Sequence, residues 1–522
     1  MNCAAGAWKI KWGAMRVKNK LAVFLAGVFV LASGWASAAA ESAKAPLPHL
    51  QIKDRRVVDD NGSVVILRGV AVNQLGDYFQ ANTMVPSTIP LQRRDFRQIA
   101  SLGCNSVRLI VHWSLLEPSR GVKNLAYLVQ VKQAVAWAKE YGIYVILDMH
   151  CDAWGKYIAT PPEVKCKWPL LSNIGWDGAP EWATFTDDKS RCMLVHREMS
   201  LAVMNSWQSF WDDREGIQQH LIDNWAWLAG EFKDEPAVAG YDLINEPLWG
   251  YNLTADVNKH KPAFYKRATE AIRKAESGGM NKIIFFEPMA IWSAIPRETP
   301  KPFTKDQNII YAPHIYLGSI SIDMFLFHKE MIPLRKGFEW ADGESKKFGT
   351  TFYNGEWSPG PGDHAYRYAA LEDEYQIGSA RWQWKISCGD PHLMSGFWPD
   401  RNKMPSGQTN DVMVLLCGDE KKPEGIEQGI NPIDAVVLAR PYPRAFPGPA
   451  NFKSDPKKRT LEIKGDENSG DAPLIIWMPG GRRPQIEAEN VKEISIEQVE
   501  GGWLIRGKPG TKSWKFFAAG SD

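Results

Sequence analysis

Eight short apolar runs alternate with stretches of helical periodicity between residues 65 and 385. The runs cover 65–73, 106–113, 144–150, 238–247, 282–289, 309–316, 351–357 and 380–385, and amphipathic stretches such as 91–102, 125–141 and 262–276 lie between them. A run that is apolar on both alternating faces suits a strand buried on both sides, as in a parallel sheet covered by crossover helices. Eight such units predict a closed parallel barrel, the α/β class in its (β/α)8 or TIM form. An open doubly wound sheet would carry a Gly-rich phosphate loop after its first strand, and none follows residue 73.

The C-terminal ends of the runs gather the chemistry. They close on Asn73, on Arg108 with His112 and Trp113, on Asp148 with His150, on Asn245 with Glu246, on Glu287, on His314 with Tyr316, on Glu356, and on Trp382 with Trp384. Barrel enzymes build their sites at that face. Two segments stand out. VAGYDLINEP, 238–247, is stopped by Pro247, which leaves Asn245 and Glu246 at the strand mouth. TFYNGEW, 351–357, puts Glu356 in the equivalent place. A carboxyl that protonates a leaving group and a carboxylate that attacks the sugar carbon are the two parts of a retaining glycosidase. Glu246 and Glu356 could divide those two parts between them.

Composition narrows the class. Residues 1–38 read as a secretory signal: Lys9, Lys11, Arg16, Lys18 and Lys20 precede an apolar run at 21–32 that ends in Ala36-Ser37-Ala38, and Met15 offers an alternative start. The expected location is therefore secreted or periplasmic. Those five side chains belong to the 62 Lys and Arg residues, so the remainder, 57 against 60 acidic, has no basic field and nucleic acid is excluded as a partner. Of the seven Cys, Cys166 with Cys192 and Cys388 with Cys417 each bracket one loop-like segment and are expected to staple it, while Cys104 and Cys151 flank strands and suit buried thiols. No CxxC pair or His/Cys cluster points to a metal, and no cofactor is expected.

Two long segments, 151–220 and 388–417, should wall the site, the first rich in Trp and Phe. Within it Trp176 and Trp182 are expected to line an apolar slot. The catalytic barrel is expected over 45–440. Past it, Pro441-Tyr442-Pro443 and Pro447-Gly448-Pro449 read as a linker, and short strand-like runs at 460–464, 474–478, 485–488, 493–498, 503–506 and 513–517 predict a small β-sandwich over 441–522.

With NEP at 245–247, NSVRLIVHW at 105–113, LDMH at 147–150 and PHIY at 313–316, the chain resembles the family 5 glycoside hydrolases of clan A. The resemblance implies Glu246 as acid/base and Glu356 as nucleophile, with Arg108, His150, Asn245, His314, Tyr316 and an eighth-strand Trp around the sugar. LDMHCDAW, WSLLEPSRGVKN, ARPYPRA and GGWLIRG make it similar, more narrowly, to the endoglycosylceramidases, which adds Asp148 and Asp152 to the expected sugar-binding set. One departure is the first βα loop, VNQLGDYFQAN, which holds no Lys where the family has one. Trp382 is preferred to Trp384 as the platform beneath the sugar. The expected function is hydrolysis of the sugar–lipid bond of a glycolipid by a monomer that touches a membrane surface transiently. The alternatives are an endo-β-glucanase or cellulase-type polysaccharide hydrolase, for which the bound substrate would be an oligosaccharide, and, ranked below it, a non-catalytic sugar-binding protein.

Overall fold

The computed structural model describes residues 46–194, 196–251, 257–290, 302–316, 332–394 and 404–520. The expected signal at 1–38 lies outside them.

The eight expected barrel strands form one parallel sheet, running in space as Asn354–Trp357, Ser379–Arg381, Arg68–Val72, Ser106–Val111, Tyr144–Met149, Val238–Asp242, Ile283–Phe286 and Ile309–Tyr311. The ends of this order meet: Tyr311 bridges Phe352 in parallel, and the Tyr353 N–H donates to the Tyr311 carbonyl at 2.8 Å. The sheet is thus closed, as a (β/α)8 barrel requires. Its strands are shorter than their apolar runs. Strand Val238–Asp242, fourth of the eight in chain order, stops at Asp242 and the sixth, Ile309–Tyr311, at Tyr311, so Asn245, Glu246, His314 and Tyr316 sit on segments just beyond the ladder. There the backbone is free to turn side chains toward the barrel axis.

Alternation within the strands sorts core from site. Val107, Leu109 and Val111 face the helices, as do Leu147 and Met149, in one large apolar cluster. Ile146, Phe285, Ile310, Tyr353 and Ala380 belong to a second cluster, joined by Leu50 and Val57 of the N-terminal hairpin. Polar Arg108 and Asp148 alternate with the helix-facing residues and are completely buried. Helices Leu125–Glu140 and Leu201–Trp211 begin where Asn124 accepts the Tyr127 N–H and Ser200 accepts the Val203 N–H.

Both expected disulfides are formed, Cys166–Cys192 and Cys388–Cys417, each with Cα atoms 5.7 Å apart, and Cys104 and Cys151 are buried free thiols. The segment after Cys388, expected to be loop, contains strand Met413–Cys417 in an antiparallel sheet with Gly407–Gln408 and Ile426–Ile430.

The expected linker at 441–449 is instead part of the C-terminal module. Strand Tyr442–Pro447 pairs with Ser63–Val65 on one side and Leu474–Pro479 on the other. Pro443 borders a register shift and Pro447 is the last residue, positions where a missing N–H does little harm. The module also draws on the N-terminus: Leu50–Lys53, Arg56–Asp59 and Ser63–Val65 complete its seven-stranded sheet. A four-stranded sheet shares its core, which includes Phe446, Trp477, Ile505, Trp514 and Phe516.

Candidate active site

Arg108 is the hub. Its fully buried guanidinium meets four carboxylates: Glu356 Oε1 at 2.7 Å, Asp148 Oδ1 at 2.9 Å, Glu287 Oε1 at 2.9 Å and Asp242 Oδ2 at 3.0 Å. It also donates to Asn245 Oδ1 at 2.9 Å. Only Arg offers enough fixed donors for such a cluster. The other oxygen of Glu356 accepts from the Tyr316 hydroxyl at 2.8 Å.

Glu246 lies across from it. Its backbone has φ of 40°, the left-handed region that a side chain other than Gly rarely adopts. The Glu246 N–H donates to Glu287 Oε2 at 2.7 Å, and Pro247 closes the α region to it from the other side. The side chain is nine-tenths buried and shares a 2.8 Å hydrogen bond with His314 Nδ1. His314 is also 3.2 Å from Glu287 Oε1 and 3.6 Å from Glu356 Oε2. One ligand atom each from Glu246, His314 and Glu356 lies within 4.8 Å of the others.

This crowding sets the protonation states. Burial first, then the charge of Glu356, raises the Glu246 carboxyl to about 7, although the His314 hydrogen bond works against both. Burial alone would lower the His314 imidazole, but Glu287 and Glu356 carry it well above its usual value. Burial and Glu287 push Asp242 well above the carboxylate range despite Arg108. More carboxyls than cations share the pocket, so protons stay where desolvation is most severe.

A second cluster forms the next wall. His150 Nδ1 is held by Asp148 at 2.8 Å, and His392 Nδ1 by Asp390 at 2.6 Å. Asp152 Oδ2 takes Arg197 at 2.8 Å and lies 3.4 Å from His392 Nε2, while Asn245 Nδ2 is 3.4 Å from Asp152 Oδ1. Burial would raise Asp152, yet Arg197 holds it well below the usual carboxylate range. His150, Asp152 and His392 have metal-ligand spacing, within 4.8 Å, but Arg197 already neutralises the carboxylate. The Trp382 ring stacks on His150 at 5.1 Å. Trp384 is fully buried and donates to Asp95 Oδ1 at 3.1 Å, so it belongs to the core.

All the expected residues, Arg108, Asp148, His150, Asp152, Asn245, Glu246, His314, Tyr316, Glu356 and Trp382, are thereby linked in one constellation. Sequence reading passed over Asp242, Arg197, His392 and Glu198, which accepts the Ala153 N–H at 2.8 Å beside Asp152, and gave Glu287 no role beyond its strand end. Glu287 was findable from that position. Asp242 was findable too, because it is polar within a buried run; the other three come from loops without periodicity. The first βα loop lacks its own Lys, and Lys156 of the insertion instead pairs with Asp77 there at 2.7 Å. The apolar slot expected of Trp176 and Trp182 is not built by them. Trp176 is 1% exposed, between Arg197 at 4.3 Å and His392 at 5.1 Å. Trp182 is half-buried and donates to the Glu117 carbonyl at 2.9 Å. Both rings pack under the insertion, where aromatic area stabilises the loop itself.

The family model described as Cellulase (glycosyl hydrolase family 5) matches residues 58–386, more than half of the chain. Among curated proteins, endoglycoceramidase I of Rhodococcus hoagii is 28% identical over 302 residues, 54% of this chain and 55% of that protein, so the chain spans about half the length of that relative. A solved endogalactoceramidase is 37% identical and superposes with a TM-score of 0.81, covering 91% of this chain and 100% of that one. Endo-glycoceramidase II from Rhodococcus sp., solved with ganglioside GM3, shares the fold at 22% identity and a TM-score of 0.66, covering 90% and 100%. On the family match over residues 58–386, the chain belongs to glycosyl hydrolase family 5, enzymes that hydrolyse glycosidic bonds.

Proposed function

We propose that the protein is a retaining β-glycosidase that releases the sugar of a glycolipid from its lipid by double displacement. The observation that carries this is the pairing of Glu246 and Glu356. Their carboxyl oxygens approach within 4.8 Å, in line with the roughly 5 Å separation of retaining enzymes and too close for an intervening water. The two environments also differ. Glu356 accepts from Arg108 and Tyr316, which hold its carboxyl in place, and Glu246 at about 7 keeps a proton near neutral pH.

In the first step Glu356 attacks the anomeric carbon, and the bond to the aglycone oxygen breaks as Glu246 gives that oxygen its proton. Esterification removes the Glu356 charge, so Glu246 now ionises more readily. It then takes a proton from water, the water oxygen attacks the same carbon, and Glu356 leaves as carboxylate. Asn245 would hold the sugar 2-hydroxyl, Trp382 would lie beneath the ring, and His150 and Asp152 would fix the remaining hydroxyls, with buried Asp148 orienting His150 through its Nδ1. The names of the relatives support a glycolipid substrate, and the paired cysteines suit export to an oxidising compartment. The enzyme acts as a monomer and meets its substrate at a membrane surface. An endo-β-glucanase is the second reading, favoured by the cellulase description of the family model.

Hydrolysis of glucosylceramide, galactosylceramide, steryl glucosides and β-glucans, compared side by side, tests the proposal. A kcat/KM that rises with alkyl chain length supports it. A steeper rise with added glucan units sinks it in favour of the glucanase.

A further inference from the structure

Most of the aromatic surplus turns inward, but one lip of the catalytic face does the opposite. Trp168 is 81% exposed, and Val164, Leu194, Met199, Leu201 and Tyr251 each show between 40 and 49% of their surface. These side chains sit on segments tied to one another. The Cys166–Cys192 disulfide joins the Trp168 loop to the segment carrying Leu194. Leu171 and Met193 exchange backbone hydrogen bonds at 2.9 and 2.8 Å, and the Leu194 N–H donates to the Met199 carbonyl at 2.9 Å. The Tyr251 hydroxyl donates to Asn205 Oδ1 at 2.9 Å and lies 3.4 Å from the Leu201 carbonyl. The turn between Leu194 and Met199 also reaches inward, since Arg197 binds Asp152 and Glu198 accepts the Ala153 N–H at 2.8 Å. Apolar side chains exposed to solvent are therefore neighbours in sequence of groups that wall the pocket beside Glu246.

The geometry points to this lip as the surface by which the enzyme docks on an anionic lipid bilayer, an inference that rests on the glycolipid reading above. Two features select lipid over a second protein surface. The exposed set combines Trp and Tyr with aliphatic side chains, the composition that settles at the boundary of headgroups and acyl chains. Charge is complementary as well: exposed Lys165 and Lys167 immediately precede Trp168, outnumber Glu163, the one acidic residue of stretch 163–172, and form no ion pair among the described residues. Cations in that position meet anionic headgroups while the indole enters the interface. Docking there would set the pocket mouth against the plane from which a glycolipid headgroup projects, so the sugar could enter while its lipid stays close to the bilayer.

The test uses the full chain and vesicles of phosphatidylcholine with about one-fifth phosphatidylserine. Trp168→Ala should reduce vesicle partition roughly tenfold, because most of an indole is no longer transferred out of water. Lys165→Glu with Lys167→Glu should reduce it on the anionic vesicles and leave partition on pure phosphatidylcholine unchanged. Both variants should keep wild-type kcat/KM on a soluble alkyl glucoside, which also shows that they are folded, and lose activity on vesicle-embedded glucosylceramide in proportion to partition. Partition indifferent to Trp168 overturns the inference. So does sedimentation showing that Trp168→Ala dissolves a wild-type dimer, which would assign the surface to a second copy. Trp168-dependent partition without glycolipid cleavage in detergent micelles would remove the substrate reading and leave the docking surface standing. Cleavage in micelles with partition indifferent to Trp168 would do the reverse.

Discussion

Replacing His314 by Phe should move the alkaline limb of the pH–rate profile upward. Glu246 must carry a proton in the free enzyme to donate it, so kcat/KM on a substrate with a poor leaving group falls as pH rises through its pKa, about 7. Burial raises that value, and the His314 hydrogen bond and charge lower it. Removing both lowering influences therefore raises the pKa. A hydrogen bond to a charged group contributes about 1.5–3 kcal/mol, and one pH unit corresponds to about 1.36 kcal/mol, which predicts a rise of roughly 1 to 2 units. With the limb at about 7, about 1% of wild-type Glu246 is protonated at pH 9. With a limb about 1.5 units higher the fraction is about a quarter, so the rate at pH 9, normalised to each enzyme's own plateau, should rise about twentyfold. His314→Asn, which keeps a hydrogen bond and discards the charge, should fall between. The assay is kcat/KM against pH on an alkyl glycoside, since an activated aryl group would leave without the proton. A limb that stays in place or moves down would refute the coupling of His314 to Glu246.

Other expectations follow from the same contacts. Arg108→Met strands four buried carboxylates, and losing the partner of a buried ion pair costs about 3–5 kcal/mol; urea unfolding at neutral pH that finds a loss below about 1 kcal/mol would contradict the network. The two Trp residues of the eighth strand should separate cleanly. Trp384→Ala should destabilise by about 3–5 kcal/mol, whereas Trp382→Ala should lower kcat/KM with little change in unfolding free energy. In native oxidised protein, alkylation should spare all six described cysteines. Unfolding alone should expose Cys104, whose thiol burial pushes up to about 12, and Cys151, while the four paired residues should need reduction as well.

The barrel was legible because a both-faces-buried strand leaves a continuous apolar run, and its site was legible because polar side chains at the ends of those runs have no packing role. Glu246, Glu356 and Tyr316 stand out on that ground, and Arg108 stands out as a charge inside a buried apolar strand. The segment Tyr442–Pro447 misled because its prolines read as breakers, whereas Pro443 sits at a register shift and Pro447 at a strand end. Leu50–Lys53 and its partners gave no hint that they would pair across the chain with residues beyond 440, since long-range register leaves no local trace. Trp176 illustrates a different limit. An indole has the same sequence signature whether it packs under a loop or faces a ligand, and only the tertiary fold put it between Arg197 and His392. Arg197 and His392 themselves come from irregular segments, where no periodicity marks which side chains turn inward.

The central claim is the division of labour between the two carboxyls, and azide rescue tests it most directly. With an activated aryl β-glycoside, Glu246→Ala should still form the glycosyl-enzyme on Glu356, and azide should capture it as the β-glycosyl azide, with the starting configuration kept. Glu356→Gly opens the opposite face to azide, and the product should be the α-glycosyl azide, inverted. The reverse stereochemistry would exchange the two roles, and failure of azide to rescue either variant would contradict double displacement through this pair.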